Sequence, residues 1–399
     1  MIHMQSHFEK INFIVGDQER ITRMQYVKPL SIFSEEAISF LNALSKLVLH
    51  TGKAYSDVIT FGFWCRRAAL LGEKAKYNDE NLRIGKGVVF HIAPSNVPVN
   101  FAFSFAAGLL AGNANIVRIP SKTFEQVKII CNAIKQLLDG EYSYMSDYIC
   151  MIKYTASKDI NDFFSAICST RVIWGGDDTI IAVRESPLKP RANEITFADR
   201  YSIAVINADA YIKADDKTSI ARAFYNDTFY SDQNACTAPR LLVWLGNRKD
   251  EAKKVFWQNE YEYVYGKYEL APVQAVGKLT ALYKVAAYRE VNLVHGNDNL
   301  IYRVSVNKLD EKLMNYKYNS GFFFEYDAES LDELVSVADE RCQTLTYYGI
   351  KEEQFRQFIN NGRISGIDRI VPMGESMDFS LIWDGHDLIR EMSRRIEIK

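Results

Sequence analysis

The spacing of apolar residues changes character near residue 85. Before it, the stretch SEEAISFLNALSKLVLHT places apolar residues three and four positions apart, which predicts an amphipathic helix capped by Ser34. We expect the rest of residues 1–80 to be mainly helical as well. After residue 85, short continuous apolar runs alternate with helical patterns, which is typical of buried parallel strands connected by helices.

Five apolar runs predict an open parallel sheet with helices on both faces. The runs are 85–93, 114–119, 148–154, 171–176 and 201–207. Helices are predicted between them over 100–112, 123–138 and 158–168. We expect Thr123 and Gln126 to form a capping box for the second helix, and Asp177 to begin the helix after the fourth strand. Ligands of such sheets bind beyond the carboxyl ends of the strands.

The chain after residue 208 repeats the α/β pattern and predicts a second domain. Strands are predicted over 240–246, 300–306 and 321–327, and helices over 217–230, 249–268, 278–291 and 329–342. We therefore expect three segments. They are 1–207, with the N-terminal helices and the first sheet; 208–365, the second domain; and 366–399, a C-terminal segment that packs back on the first domain or the cleft.

Composition narrows the function classes. The 399 residues carry 48 Lys and Arg against 50 Asp and Glu, which offers no electrostatic reason to expect nucleic acid or an anionic membrane as a partner. No signal peptide and no membrane span are expected. The six cysteines are widely scattered and form no CxxC pair, so we expect neither disulfides nor a bound metal, and a cytoplasmic location.

Two segments carry candidate catalytic chemistry. Asn96 stands at the centre of Pro94-Ser95-Asn96-Val97-Pro98, a stiff turn that suits an amide presented to an oxyanion, although such residues often only cap a helix. Cys236 follows a polar turn and precedes a strand, where a thiol is accessible, although most unpaired cysteines are small buried residues. The other five cysteines fit that buried role; they are Cys65, Cys131, Cys150, Cys168 and Cys342.

Two further turns suit a phosphate-bearing ligand. The segment from Arg118 to Lys122 ends a strand and opens a helix, where anions bind well, although two solvated surface cations explain it equally. Gly175 and Gly176 lie in a strand-to-helix turn, where glycine allows a ligand to approach the backbone closely. The dinucleotide fingerprint GxGxxG is absent from the sequence.

These segments, in this order, resemble the aldehyde dehydrogenase superfamily. Longer stretches, among them FHIAPSNVPVNFAFSFAAGLLAGNANIVRIPSK, FYSDQNACTAPR and GIDRIVPMGESMDFSLIWDG, are similar to the acyl-CoA reductase family, typified by the fatty-acyl reductase of bacterial bioluminescence. The resemblance implies an α/β, aldehyde dehydrogenase-like fold, with an open parallel-sheet cofactor domain and an α/β catalytic domain. It also implies Cys236 as the nucleophile and Asn96 as the oxyanion amide. The cofactor contacts that it implies are Pro94, Ser95, Arg118, Pro120, Ser121, Lys122, Gly175 and Gly176.

Two departures from the superfamily pattern refine this expectation. Lys122 stands where an acidic residue usually binds the ribose, and a cation there suits the 2′-phosphate of NADPH, with NADH as the alternative. The Glu-Leu-Gly-Gly motif, whose glutamate activates water in the hydrolytic enzymes, is missing. Glu194 and Thr196 both remain candidates for its position.

We therefore expect NADPH-dependent reduction of an activated, long-chain fatty acyl group to the aldehyde through a Cys236 thioester. Alternatives are a cofactor-free acyl-cysteine transferase or thioesterase, a hydrolytic aldehyde dehydrogenase, and a non-catalytic scaffold. The expected partners are acyl-CoA or another activated acyl donor, an acyl-activating synthetase-type protein and further copies of the chain. His386 is a candidate proton donor, although a structural histidine is the commoner case.

Overall fold

The computed structural model describes residues 8–77, 82–95, 97–294 and 298–399. The chain forms two compact units. The first consists of Met1–Ala198 together with Phe379–Lys399, and the second of Asp199–Asp378. No helix in the described ranges is long and apolar enough to cross a membrane.

The first unit is built on a six-stranded sheet. Its strands, in spatial order, are Asn12–Val15, Ile149–Lys153, Ala114–Arg118, Val88–Ile92, Thr170–Trp174 and Asn193–Phe197. The first is antiparallel to its neighbour, and the other five are parallel, as the alternation of apolar runs predicts. The central strand Val88–Ile92 is buried along its whole length, because helices cover both faces.

One predicted strand belongs elsewhere. Tyr201–Asn207 forms a strand, but it pairs within the second unit, and Asn193–Phe197 supplies the fifth parallel strand of the first sheet. An almost continuous apolar run such as 201–207 fits the interior of either sheet, so its pattern does not determine its partner. Asn193–Phe197 is only partly buried, and its pattern is correspondingly weak.

Helices and short strands complete the first unit. The helices are Gln18–Met24, Glu35–Thr51, Ser56–Trp64, Arg67–Ala75, Asn100–Leu110, Glu125–Leu138, Lys158–Ile167, Asp177–Arg184 and Leu388–Met392, with a 3-10 turn at Ser143–Tyr148. The short strands are Leu82–Gly85 paired with Ser393–Ile396, and Ile382–Trp383 paired with His386–Asp387. The Ser34 cap is confirmed, since its side chain accepts a hydrogen bond from the Ala37 N–H at 3.3 Å. The Thr123–Gln126 capping box is wrong, because this helix begins at Glu125 and Gln126 instead donates to Asp57 at 3.4 Å.

The second unit contains a seven-stranded sheet. Its spatial order is Val291–Val294, Tyr302–Val306, Phe322–Asp327, Pro239–Leu245, Tyr201–Asn207, Cys342–Tyr348 and Arg369–Pro372. All neighbours are parallel except the first pair, which is antiparallel. The helices are Ala208–Lys213, Lys217–Asp227, Lys249–Val264, Pro272–Ala286 and Glu352–Gly362, and the 3-10 turns are Phe229–Ser231, Leu313–Tyr316 and Leu331–Val337.

Two expectations for this part of the chain need correction. The predicted helix 329–342 is a 3-10 turn that ends at Val337, and Cys342 begins a buried strand. The predicted C-terminal segment 366–399 is divided. Arg369–Pro372 pairs with Cys342–Tyr348 in the second unit, and only the residues from Phe379 onward belong to the first.

Candidate active site

Three predicted turns lie at one edge of the first sheet. The strands Ala114–Arg118, Val88–Ile92 and Thr170–Trp174 are adjacent and parallel, so their carboxyl ends meet at the same edge. The structure thereby brings together the residues that follow these strands. They are Pro94 and Ser95, Pro120 to Lys122, and Gly175 and Gly176.

The side chains at this edge suit an anionic ligand. Ser121 and Lys122 are exposed, whereas Pro120 is buried and fixes the turn. The Arg118 guanidinium carbon lies 4.5 Å from the centre of the Tyr154 ring, which holds the cation at the strand end. A Cβ atom on Gly176 would meet no heavy atom within 4 Å, so open space borders this glycine. These residues fit a phosphate-bearing dinucleotide.

A buried polar network lies directly beneath this edge. The ring of His91 is fully buried, with Nδ1 2.8 Å from Ser104 Oγ and Nε2 3.0 Å from Asn115 Oδ1. Trp174, the residue before Gly175, donates its indole N–H to the same Ser104 oxygen at 3.0 Å. Burial lowers the pKa of His91 to about 4, so the imidazole is neutral at physiological pH. The network ties together the three strands that carry the three turns. Sequence reasoning missed it, although a histidine within an apolar strand is a visible signal.

Cys236 lies in a turn between the 3-10 turn Phe229–Ser231 and the strand Pro239–Leu245 of the second unit. It is partly exposed, whereas the other five cysteines are buried, as predicted. Burial raises the pKa of each of those five thiols, which keeps them protonated and unreactive. Position alone therefore makes Cys236 the accessible thiol of the chain.

The Gln233 side chain stabilises the Cys236 turn. Its backbone is left-handed, with φ at 52°, and its side chain is completely buried. The amide Nε2 donates to Pro239 O at 3.1 Å, and Oε1 accepts from the Gly321 N–H at 2.7 Å and the Phe322 N–H at 3.3 Å. One side chain thus ties the turn to the strand that follows it, Pro239–Leu245, and to the adjacent strand, Phe322–Asp327.

Charged and polar groups hold the same turn from other directions. Arg240, which is nine-tenths buried or more, donates to the Gln233 carbonyl and, at 2.9 Å, to Tyr318 O. Burial lowers the pKa of Arg240 to about 10, while its guanidinium remains charged at neutral pH. Ser202 donates its hydroxyl to the Cys236 carbonyl at 2.7 Å. The backbone around Cys236 is therefore fixed by several independent hydrogen bonds.

Three further residues that the sequence suggested are Asn96, Glu194 and His386. Asn96 lies outside the described residues. Glu194 faces Arg171 across neighbouring strands, accepts two hydrogen bonds from it, at 2.5 and 2.8 Å, and accepts a third from Arg184 at 2.7 Å. Its carboxylate is thus committed to ion pairs. His386 Nδ1 lies 2.9 Å from a carboxylate oxygen of Glu391, a contact that orients the ring within the first unit.

Comparison with solved structures defines the class of fold. A 3,6-anhydro-L-galactose dehydrogenase solved in complex with NAP superposes with a TM-score of 0.66 at 12% identity, covering 95% of this chain and 89% of the other. An NAD-dependent benzaldehyde dehydrogenase from Corynebacterium glutamicum gives a TM-score of 0.62 at 15% identity, with coverages of 94% and 86%. The fold is that of the aldehyde dehydrogenases, as the sequence resemblance implies.

Sequence comparison then defines the family. The family model described as acyl-CoA reductase (LuxC) matches residues 68–395, and the chain belongs to this family. Long-chain acyl-protein thioester reductases are similar. The one from Photorhabdus laumondii is 25% identical over 251 residues, which is 59% of this chain and 48% of that protein. The one from Vibrio harveyi is 21% identical over 320 residues, which is 78% of this chain and 63% of that protein. The chain thus spans about half to two thirds of the length of these relatives.

Proposed function

We propose that this chain reduces an activated long-chain fatty acyl group to the aldehyde, with NADPH as reductant and a thioester on Cys236 as intermediate. The observation that carries the proposal is the partly exposed Cys236 thiol on a turn fixed by Gln233, Arg240 and Ser202, in a chain of the LuxC acyl-CoA reductase family. A fixed accessible thiol is what covalent acyl transfer requires.

In this mechanism Cys236 gives up its thiol proton and attacks the acyl carbonyl, the bond from the carbonyl to the carrier sulfur breaks, and the carrier thiolate takes up that proton. The new thioester divides a difficult reduction into two easier steps. Arg240 places a buried positive charge on the turn that carries Cys236, and its guanidinium interacts electrostatically with that residue. We assign Asn96 as the amide donor to the tetrahedral oxyanion. One such donor contributes roughly 2.7–4 kcal/mol to stabilising the transition state.

We assign the cofactor to the edge of the first sheet. Ser95, Ser121 and Gly176 border the space at the strand ends, and Lys122 with Arg118 supplies the cations that suit a 2′-phosphate. A reduced nicotinamide dinucleotide held there supplies the hydride for aldehyde formation. The Glu194 carboxylate is occupied by its ion pairs with Arg171 and Arg184. This supports release of the acyl group by hydride transfer rather than by attack of an activated water.

The wider setting is also part of the proposal. We propose an activated acyl donor such as acyl-CoA, a synthetase-type protein that supplies acyl groups, and self-association of the chain. None of the six cysteines, all in described parts of the chain, forms a disulfide, which suits a reducing cytoplasm.

The test compares aldehyde formation by the wild type and by Cys236→Ser, with acyl-CoA and NADPH. We expect the variant to lose aldehyde formation while NADPH binding persists. Cys168→Ser is the matched control, because the Cys168 thiol donates to Ser165 O at 3.5 Å and a hydroxyl can do the same. Near-wild-type activity of Cys236→Ser would refute the assignment. A burst of free CoA without NADPH oxidation would instead identify an acyl transferase or thioesterase.

A further inference from the structure

A groove of about 620 Å³ runs across one face of the second unit. It lies between the helix Lys249–Val264 and the strand Tyr302–Val306. Its lining includes Trp257 and Tyr261 from the helix and Arg303 and Ser305 from the strand. The volume falls in the range of small-molecule sites, and the lining combines aromatic rings, the cations of Lys253, Lys254 and Arg303, and the carboxylates of Asp250 and Glu325.

Neighbouring side chains hold Arg303 in a fixed position in this groove. Its Nε donates to Glu325 Oε2 at 2.8 Å, and Glu325 is almost fully buried. The other oxygen of Glu325 accepts the indole N–H groups of Trp244, at 3.0 Å, and Trp257, at 2.6 Å. The guanidinium carbon lies 5.1 Å from the centre of the Trp257 ring. Glu325 and Trp257 thus hold the guanidinium from two sides.

The two terminal nitrogens of that guanidinium face the groove, and their N–H groups are available to a ligand. Among the residues that the structure describes, no group accepts a hydrogen bond from the two terminal nitrogens of Arg303. The hydroxyl of Ser305 and the ammonium of Lys254 also line the groove, and neither has a partner within the described ranges. A guanidinium fork, a hydroxyl and an ammonium together suit a phosphate, and the partly exposed ring of Tyr261 suits contact with a planar base.

The groove lies in the same unit as Cys236 and reaches the same sheet edge. Arg303 pairs with Phe323, and the next residue, Phe324, pairs with Leu241. Arg303 is therefore in register with the residue before Leu241. The two residues lie two strands apart, which is about 10 Å at the usual strand spacing. The strand that contains Leu241 begins three residues after Cys236.

We propose that this groove binds the phosphorylated adenosine of coenzyme A when the acyl donor is an acyl-CoA. Arg303, Lys254 and Ser305 bind the 3′-phosphate, and Tyr261 contacts the adenine. This assignment rests on the proposed function for its substrate. The pantetheine arm then extends toward the strand edge that carries the Cys236 turn. The groove thereby selects CoA among the activated acyl donors.

The first experiment measures binding to the full chain by calorimetry, with 3′,5′-ADP as the probe. We expect Arg303→Lys to weaken binding about tenfold or more, because lysine keeps the charge beside Glu325 but loses the fork. Lys254→Ala and Ser305→Ala test the same site with changes at the groove surface. Arg289→Lys is the matched control, since its two terminal nitrogens already bind Asp310, at 2.5 and 2.6 Å.

The second experiment uses turnover. We expect Arg303→Lys to raise KM about tenfold for acyl-CoA and to leave KM unchanged for the same acyl group on N-acetylcysteamine, which lacks the adenosine. Equal effects on both thioesters, or 3′,5′-ADP binding that survives all three groove substitutions, would overturn the proposal. A loss of 2′,5′-ADP binding equal to that of 3′,5′-ADP would also overturn it. If neither thioester is reduced, the proposed function fails, while the calorimetry still tests the groove.

Discussion

Replacing Gln233 with methionine should loosen the Cys236 turn. Methionine has a similar length and apolar bulk but neither donates nor accepts an amide hydrogen bond. The change removes the acceptor of the Gly321 N–H, at 2.7 Å, and the donor to Pro239 O, at 3.1 Å. It also removes the longer contact with the Phe322 N–H, at 3.3 Å.

The magnitude follows from burial. Gln233 is fully buried, so water cannot replace the lost partners, and each orphaned backbone group costs about 1–3 kcal/mol. Counting only the two shorter bonds, Gln233→Met should lower the free energy of unfolding of the second unit by about 2–6 kcal/mol. Gln357→Met is the control. Its side chain is exposed and makes one 3.4 Å contact, with Glu353, so its effect should stay within about 0.5 kcal/mol.

Two measurements check this reasoning. Urea unfolding gives the loss of stability, and hydrogen exchange read by mass spectrometry shows whether it falls on peptides of the second unit. Alkylation of Cys236 by iodoacetamide, compared at a urea concentration where the protein stays folded, reports the freedom of the turn. If Gln233→Met unfolds at the wild-type urea midpoint with unchanged alkylation, the Gln233 side chain does not hold the turn.

Three further predictions concern the two cores. Gly108→Ala should destabilise the first unit by about 1–3 kcal/mol, because the new Cβ would lie 2.0 Å from Asn115 Oδ1. Gly72→Ala meets open space and should instead stabilise the unit by up to about 1 kcal/mol. The urea midpoints of the two variants test this difference. His91 stays unprotonated down to about pH 4 in the folded state but gains a proton near pH 6.5 when unfolded. The first unit should therefore lose up to about 3 kcal/mol as the pH falls from 6.5 to 4, a loss absent in His91→Gln and measured by unfolding at each pH. Burial raises the pKa of Asp227 to about 6, so the second unit should lose stability as the pH rises from about 4 to 6; hydrogen exchange that shows no such trend in that unit would contradict this.

Much of the local structure follows from the sequence because it depends on near neighbours. The Ser34 cap, the buried strand within 85–93 and the helix within 100–112 each follow from a short pattern, and each is confirmed. The burial of five cysteines follows in the same way. The exposure of Cys236 follows from a polar turn that adjoins a strand, which places the thiol at a sheet edge.

The tertiary structure decided what depends on distant partners. The apolar pattern of residues 201–207 fits the interior of either sheet. Only its long-range pairing with Pro239–Leu245 and Cys342–Tyr348 assigns it to the second unit. The same holds for Gln233, because its partners at Gly321 and Phe322 lie almost ninety residues away along the chain. A strand pattern reports which faces are buried but not which strand lies alongside. The sequence therefore identified the accessible thiol, and the fold alone showed which groups hold its turn in place.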